Sequence, residues 1–129
     1  MKSNWSYNWR GKAILVVEDD HINYSYLDAL LKPTKAKILH AEKGEEAIVL
    51  CQDSTFINVV LMDIRLPGMN GLETTKKILS FRKDLPVIAQ TAFAAESDKL
   101  AALEAGCRDF IAKPIRANEM LEMIKKYMD

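Results

Sequence analysis

The 129-residue sequence predicts a doubly wound α/β domain, a single five-stranded parallel sheet with five helices covering its two faces. Three observations carry that prediction. First, β-rich runs near 13–17, 36–41, 57–62, 86–90 and 109–112 alternate with helix-like runs near 21–32, 44–53, 70–82, 96–105 and 117–128. Such alternation reads as successive βαβ units. Second, several β-rich runs, AILVV and NVVLM among them, are continuously apolar, as strands are when helices bury both faces of a sheet. Third, four runs end in polar chemistry: Glu18-Asp19-Asp20, Asp63, Thr91 and Lys113. Open parallel sheets bind their ligands at the carboxyl ends of the strands.

Each element has its own local reason. The lead-in over residues 1–11 is polar, with Trp5 and Trp9 expected to pack on the domain or on whatever precedes it, and the domain proper is expected over 12–129. After the first strand, Asp20 stands just before a helix, where a carboxylate caps free N–H groups. Pro33 is expected to end that helix. Gly44 opens the second helix, with Glu45 and Glu46 in its first turn at the positive end of the dipole. The segment Phe56-Ile57-Asn58-Val59-Val60-Leu61 reads as the third strand, broken afterwards by Pro67, Gly68 and Gly71. Leu100, Leu103 and Glu104 give the fourth helix an apolar and a polar face, and Gly106 suits the left-handed residue after its end. Met120, Leu121, Ile124 and Met128 form a core stripe on the fifth helix. One local rule is broken: Arg116 stands at the N-cap position of that helix, where Arg is a poor cap.

Composition excludes several classes of function. Eighteen basic and 18 acidic side chains balance to zero formal charge, which leaves no electrostatic footprint for nucleic acid or an anionic membrane. No apolar run approaches the roughly 20 residues of a spanning helix, and the N-terminus lacks the apolar stretch of a secretion signal. Cys51 and Cys107 form no CxxC or Cys/His cluster, so they read as reduced core thiols of a cytoplasmic protein.

The strand ends assemble a specific chemistry. Glu18 and Asp19 are expected close to Asp63, and three carboxylates in one concavity repel one another unless a cation sits among them. Oxygen ligands without His or Cys point to Mg²⁺, with Mn²⁺ as a substitute. Lys113, before a proline, can hold a salt bridge or a phosphoryl oxygen as a point charge. Thr91 needs no functional reason in a strand, so its candidacy rests on its neighbours.

On these motifs the chain resembles the receiver domains of two-component signalling, over essentially residues 12–128. ILVVEDD resembles the family's first-strand acidic motif and MDIRLPGMNG the segment around its phosphorylated Asp. AQTA resembles the switch-hydroxyl motif, and DFIAKPI the segment with an aromatic switch residue and a Lys-Pro pair. The resemblance implies a flavodoxin-like sheet of order 2-1-3-4-5. It implies that Glu18, Asp19, Asp63 and the backbone carbonyl of Arg65 bind Mg²⁺. Asp63 then accepts a phosphoryl group from a phosphohistidine, Thr91 and Lys113 contact that group, and Thr91 and Phe110 act as the switch. Two departures are small: Glu rather than Asp at 18, and Phe rather than Tyr at 110. The implied partners are a sensor histidine kinase or histidine phosphotransfer protein as donor, and a protein that reads the face formed by residues 96–128. The chain is then a switch that assists its own phosphorylation, not a turnover enzyme. The lead-in and IAQTAFA look most like receivers at the C-terminus of hybrid sensor kinases. With the sequence stopping at Asp129, output is expected through protein contact or onward relay.

Other classes fit worse. Phosphatases of the haloacid-dehalogenase type also use a strand-end Asp, Mg²⁺, Thr and Lys. Their motif lies on the first strand with a general-acid Asp two residues after the nucleophile, where this chain has Arg65. No Walker or Rossmann glycine motif supports nucleotide binding. A scaffold that is never phosphorylated leaves the filled chemical positions without a role.

Overall fold

The structure, a computed structural model, describes residues 7–53, 56–92 and 95–128. Trp5 and the last two residues of the IAQTAFA segment, 93–94, lie outside the described residues. The elements follow the expected order: β1 (Ala13–Val17), α1 (His21–Leu31), β2 (Lys37–Ala41), α2 (Gly44–Asp53), β3 (Ile57–Asp63), α3 (Gly71–Phe81), β4 (Val87–Thr91), α4 (Glu96–Ala105), β5 (Asp109–Ala112) and α5 (Ala117–Met128). The strands pair in parallel in the order β2-β1-β3-β4-β5. This is the doubly wound, flavodoxin-like arrangement. Its chain reverses direction across the sheet between β1 and β3, the position where such folds place their sites.

The continuously apolar strands divide by alternation between two cores. Ile14, Val16, Val59, Leu61 and Ile88 pack with Leu27, Leu31, Leu121 and Ile124 of α1 and α5. Leu15, Val17, Val60, Met62 and Ala89 face the other side, with Ala47, Ile78 and Ala102 of α2, α3 and α4. The α5 stripe of Met120, Leu121, Ile124 and Met128 is buried as expected. Ahead of β1, Tyr7 and Trp9 belong to the first core, their ring centroids 5.3 Å apart, and the Trp9 N–H donates to Thr34 O at 2.7 Å.

Two local expectations are corrected. Leu100 and Leu103 do not form the inward face of α4: they are 59% and 55% exposed, and Ala102 and Ala105 make the contact instead. Phe56 lies in a turn before β3 rather than in the strand, half exposed, with Lys37 Nζ 5.1 Å from its ring centroid. Pro33 follows the end of α1 at Leu31, as expected. It sits within a 3₁₀ turn, Lys32–Thr34, that extends α1 and is closed by Lys35 at φ 72°. Proline lacks the N–H but accepts an early 3₁₀ position. Gly106 takes φ 107°, as the end of α4 requires.

Candidate functional site

The site lies where β1, β3, β4 and β5 end. In β1, the alternation that points Ile14 and Val16 toward α1 and α5 carries Glu18 to the same side. Glu18 is fully buried. Asp19 turns out to solvent, and Asp20 caps α1, its side chain accepting from the N–H groups of Ile22 and Asn23. Asp20 is thus the helix cap expected from the sequence. Asp63 closes β3 and is 4% exposed, its Oδ1 accepting from the Arg65 N–H at 3.0 Å. One carboxylate oxygen from each of Glu18, Asp19 and Asp63 lies within 4.8 Å of the others.

Lys113 follows β5, and its peptide bond to Pro114 is cis. Its ammonium stands between two carboxylates, 3.2 Å from Glu18 Oε1 and 3.4 Å from Asp63 Oδ2, and is itself mostly covered. The Lys113 N–H donates to Thr91 O at 2.9 Å, which fixes the end of β5 against the end of β4. Thr91 is buried at that end, and Phe110, paired in register with Ala89, is half-buried against the second core. Arg65 is exposed beside the pocket.

Burial and the neighbouring Glu18 push the Asp63 carboxyl up to about 7, against the smaller opposing pull of Lys113 and the Arg65 N–H. One ammonium does not offset three carboxylates. The pocket is thus an all-oxygen donor set with excess negative charge, which is the environment a hard divalent cation takes.

The return loop is shaped by one glycine. The Gly71 N–H donates to Ile64 O at 2.9 Å, and a Cβ there would meet Asp63 O at 2.2 Å and Ile64 Cα at 2.7 Å. Both are backbone atoms, so no rotamer change relieves the clash. Gly71→Ala is expected to displace the Asp63 loop and to cost about 1–3 kcal/mol in urea unfolding, as overpacking does.

Three residues at this site were not assigned a role from sequence. Asn23 Nδ2 donates to Glu18 Oε1, and Gln90 Nε2 approaches the same oxygen at 3.4 Å. His40 stacks on Tyr24 with centroids 3.6 Å apart, and its Nε2 lies 2.8 Å from the Glu18 carbonyl oxygen, so that nitrogen carries the proton. Gln90 had a signal: it is the one polar residue inside the apolar strand VIAQT before its terminal Thr. A buried amide in such a run needs a partner.

Fold and site together define a phosphoacceptor signalling switch on a doubly wound sheet. Residues 14–125 match the response regulator receiver domain, and the chain belongs to that family, within two-component signalling. It is 34% identical over 119 residues to the polar-differentiation response regulator DivK of Brucella ovis, covering 91% of this chain and 96% of that protein. Among solved structures, it resembles the receiver domain of a sensor histidine kinase from Pseudomonas aeruginosa PAO1, which has a magnesium ion coordinated in its active-site cleft. The TM-score is 0.84 at 29% identity, over 92% of this chain and 98% of that one. A further neighbour comes from the co-crystal structure of the Saccharomyces cerevisiae histidine phosphotransfer protein Ypd1 with the receiver domain of its downstream response regulator Ssk1. There the TM-score is 0.85 at 27% identity, over 92% of this chain and 90% of that one. Among the described residues no helix is long and apolar enough to cross a membrane.

Proposed function

We propose that Asp63 is the phosphoacceptor and that this chain relays signals by carrying a phosphoryl group on it. One observation carries the reading. The buried Asp63 carboxylate lies between Lys113 Nζ at 3.4 Å and the carboxylates of Glu18 and Asp19, at the end of the central strand. An Asp63 oxygen attacks the phosphorus of a phosphohistidine in line. The new O–P bond forms as the P–N bond breaks, its electron pair returning to the imidazole. Such transfers depend on positioning and charge neutralisation. Lys113 supplies a fixed positive charge to the arriving oxygens. Glu18, Asp19, Asp63 and the Arg65 carbonyl would hold Mg²⁺, or Mn²⁺ in its place, and that ion when bound neutralises charge on the phosphoryl oxygens. The chain is a switch and not a turnover enzyme. The phosphatase alternative lacks its general acid, since Arg65 occupies that place.

The donor is a sensor histidine kinase or a histidine phosphotransfer protein, a reading supported by the neighbour crystallised with Ypd1. The readout face is formed by residues 96–128, where Leu100 and Leu103 are exposed. The two cysteines, buried and unpaired, favour a cytoplasmic setting, as a lone regulator or as the receiver of a hybrid kinase.

Incubation with acetyl phosphate and Mg²⁺ should add one phosphoryl group by intact mass. Borohydride trapping should map it to Asp63, and EDTA should prevent it. Modification at another carboxylate sinks the assignment. A companion measurement addresses the metal: Asp19→Ala should weaken Mg²⁺ binding in calorimetric titration by on the order of tenfold, because ligand number and charge both fall. Asp19 is solvent-facing, so the fold should survive, and unchanged Mg²⁺ binding would return Asp19 to a solvated surface role.

A further inference from the structure

The Glu18 carboxylate is fully buried, and its two oxygens are heavily used. Oε2 accepts from the Asp20 N–H at 3.2 Å. Oε1 faces three side-chain donors: Asn23 Nδ2 from α1, Lys113 Nζ at 3.2 Å, and Gln90 Nε2 at 3.4 Å from β4. Donors sharing one acceptor weaken each other, because each draws on the same oxygen charge. Lys113 is thereby held less firmly on Glu18 than a lone buried pair would hold it, and its second contact is to Asp63 Oδ2 at 3.4 Å.

Gln90 is the unusual member of this set. It is fully buried and stands directly opposite Asp63 in the β3–β4 register. Its Oε1 has no hydrogen-bond partner. A buried amide carbonyl without a partner is unfavourable for folding, and an apolar residue of the same shape would fill the place better. What the amide does there is present Nε2 to Glu18.

We propose that Gln90, with Asn23, is a positioning residue for Lys113: by donating to Glu18 Oε1 the two amides loosen the ammonium from Glu18 and free it to turn to a phosphoryl oxygen on Asp63. The proposal rests on the reading of Asp63 as the acceptor, so its test has one arm that needs no phosphorylation. Gln90→Met keeps length and burial but removes the donor. In the unphosphorylated, metal-free protein, ¹⁵N NMR of the Lys113 ammonium should show proton exchange with water slowed several-fold in Gln90→Met. Unchanged or faster exchange overturns the proposal, whatever Asp63 does.

In the second arm, Gln90→Met should slow phosphorylation at saturating Mg²⁺ and acetyl phosphate several-fold, with thermal stability equal or higher. In a Lys113→Ala background the same substitution should have no further effect on rate. An equal loss in both backgrounds, or a rate loss with lowered thermal stability, means Gln90 acts by holding the fold and overturns the positioning role. Wild-type protein that takes no phosphoryl group on Asp63 overturns the functional reading, while the ammonium measurement still decides for or against Gln90.

Discussion

Asp63→Asn is expected to accept no phosphoryl group from acetyl phosphate and, without metal, to resist unfolding better than wild type above neutral pH. The first half follows from the position of the carboxylate. Among the described residues, no other acid at the strand ends combines burial with the Lys113 ammonium except Glu18, which is fully sealed where Asp63 keeps some exposure. The second half follows from charge. Folding buries Asp63 beside Glu18 and raises its carboxyl from 3.8 to about 7. A group whose pKa is raised by folding contributes stability in full below its unfolded value, and that contribution is lost as pH rises through the folded value. Wild-type protein in EDTA should therefore lose stability between about pH 4 and 7 relative to the Asn variant, by at most about 4 kcal/mol. The Asn variant has no such group to titrate. Saturating Mg²⁺ should close the gap from the wild-type side, since a cation in the pocket favours the ionised acid. Urea unfolding of both proteins across that pH range, with and without Mg²⁺, checks the sign. A wild type that gains on the Asn variant as pH rises in EDTA would contradict the crowding argument.

Thr91→Ala should separate phosphorylation from its consequence. Thr91 is buried at the end of β4, and it is neither the acceptor nor one of the acidic residues proposed to hold the metal, so the variant should still be modified on Asp63. The role the family resemblance implies for Thr91 is to move toward the phosphoryl oxygens and leave space into which Phe110 turns, a local charge event that biases a two-state element. Burying a whole aromatic ring is worth roughly 1.5–3 kcal/mol. Phe110 is already half-buried, so the inward turn gains about half of that, on the order of 1 kcal/mol. This shifts a balanced pair of states several-fold. Amide exchange over residues 96–128, before and after phosphorylation, should change in wild type and change little in Thr91→Ala. Equal changes in the two proteins would mean that the signal crosses by another route.

Most of the architecture was legible in the sequence because it depends on short-range pattern. Continuous apolar runs such as AILVV announce strands buried on both faces. The α5 stripe of Met120, Leu121, Ile124 and Met128 repeats at helical spacing, and both readings need only nearest neighbours along the chain. The candidate residues Glu18, Asp19, Asp63, Thr91 and Lys113 were legible for a related reason. A parallel sheet brings the ends of its strands together whatever the details, so polar residues at those ends must meet. The inward face of α4 was not legible. Leucines outrank alanines in apolarity, yet the way α4 docks buries Ala102 and Ala105 and leaves Leu100 and Leu103 to solvent.

By itself, then, the sequence determined the element order, the strand ends and the set of charged groups brought to one edge. Tertiary structure alone decided how those groups share contacts: that Lys113 stands between Glu18 and Asp63, that Asn23 and Gln90 converge on one Glu18 oxygen, and that Asp19 faces out while Glu18 is sealed in. These are contacts between residues far apart in the chain, set by strand register and helix packing to within an ångström. No periodicity along the sequence encodes a distance across the sheet, and hydrogen bonds form or fail on differences of that size.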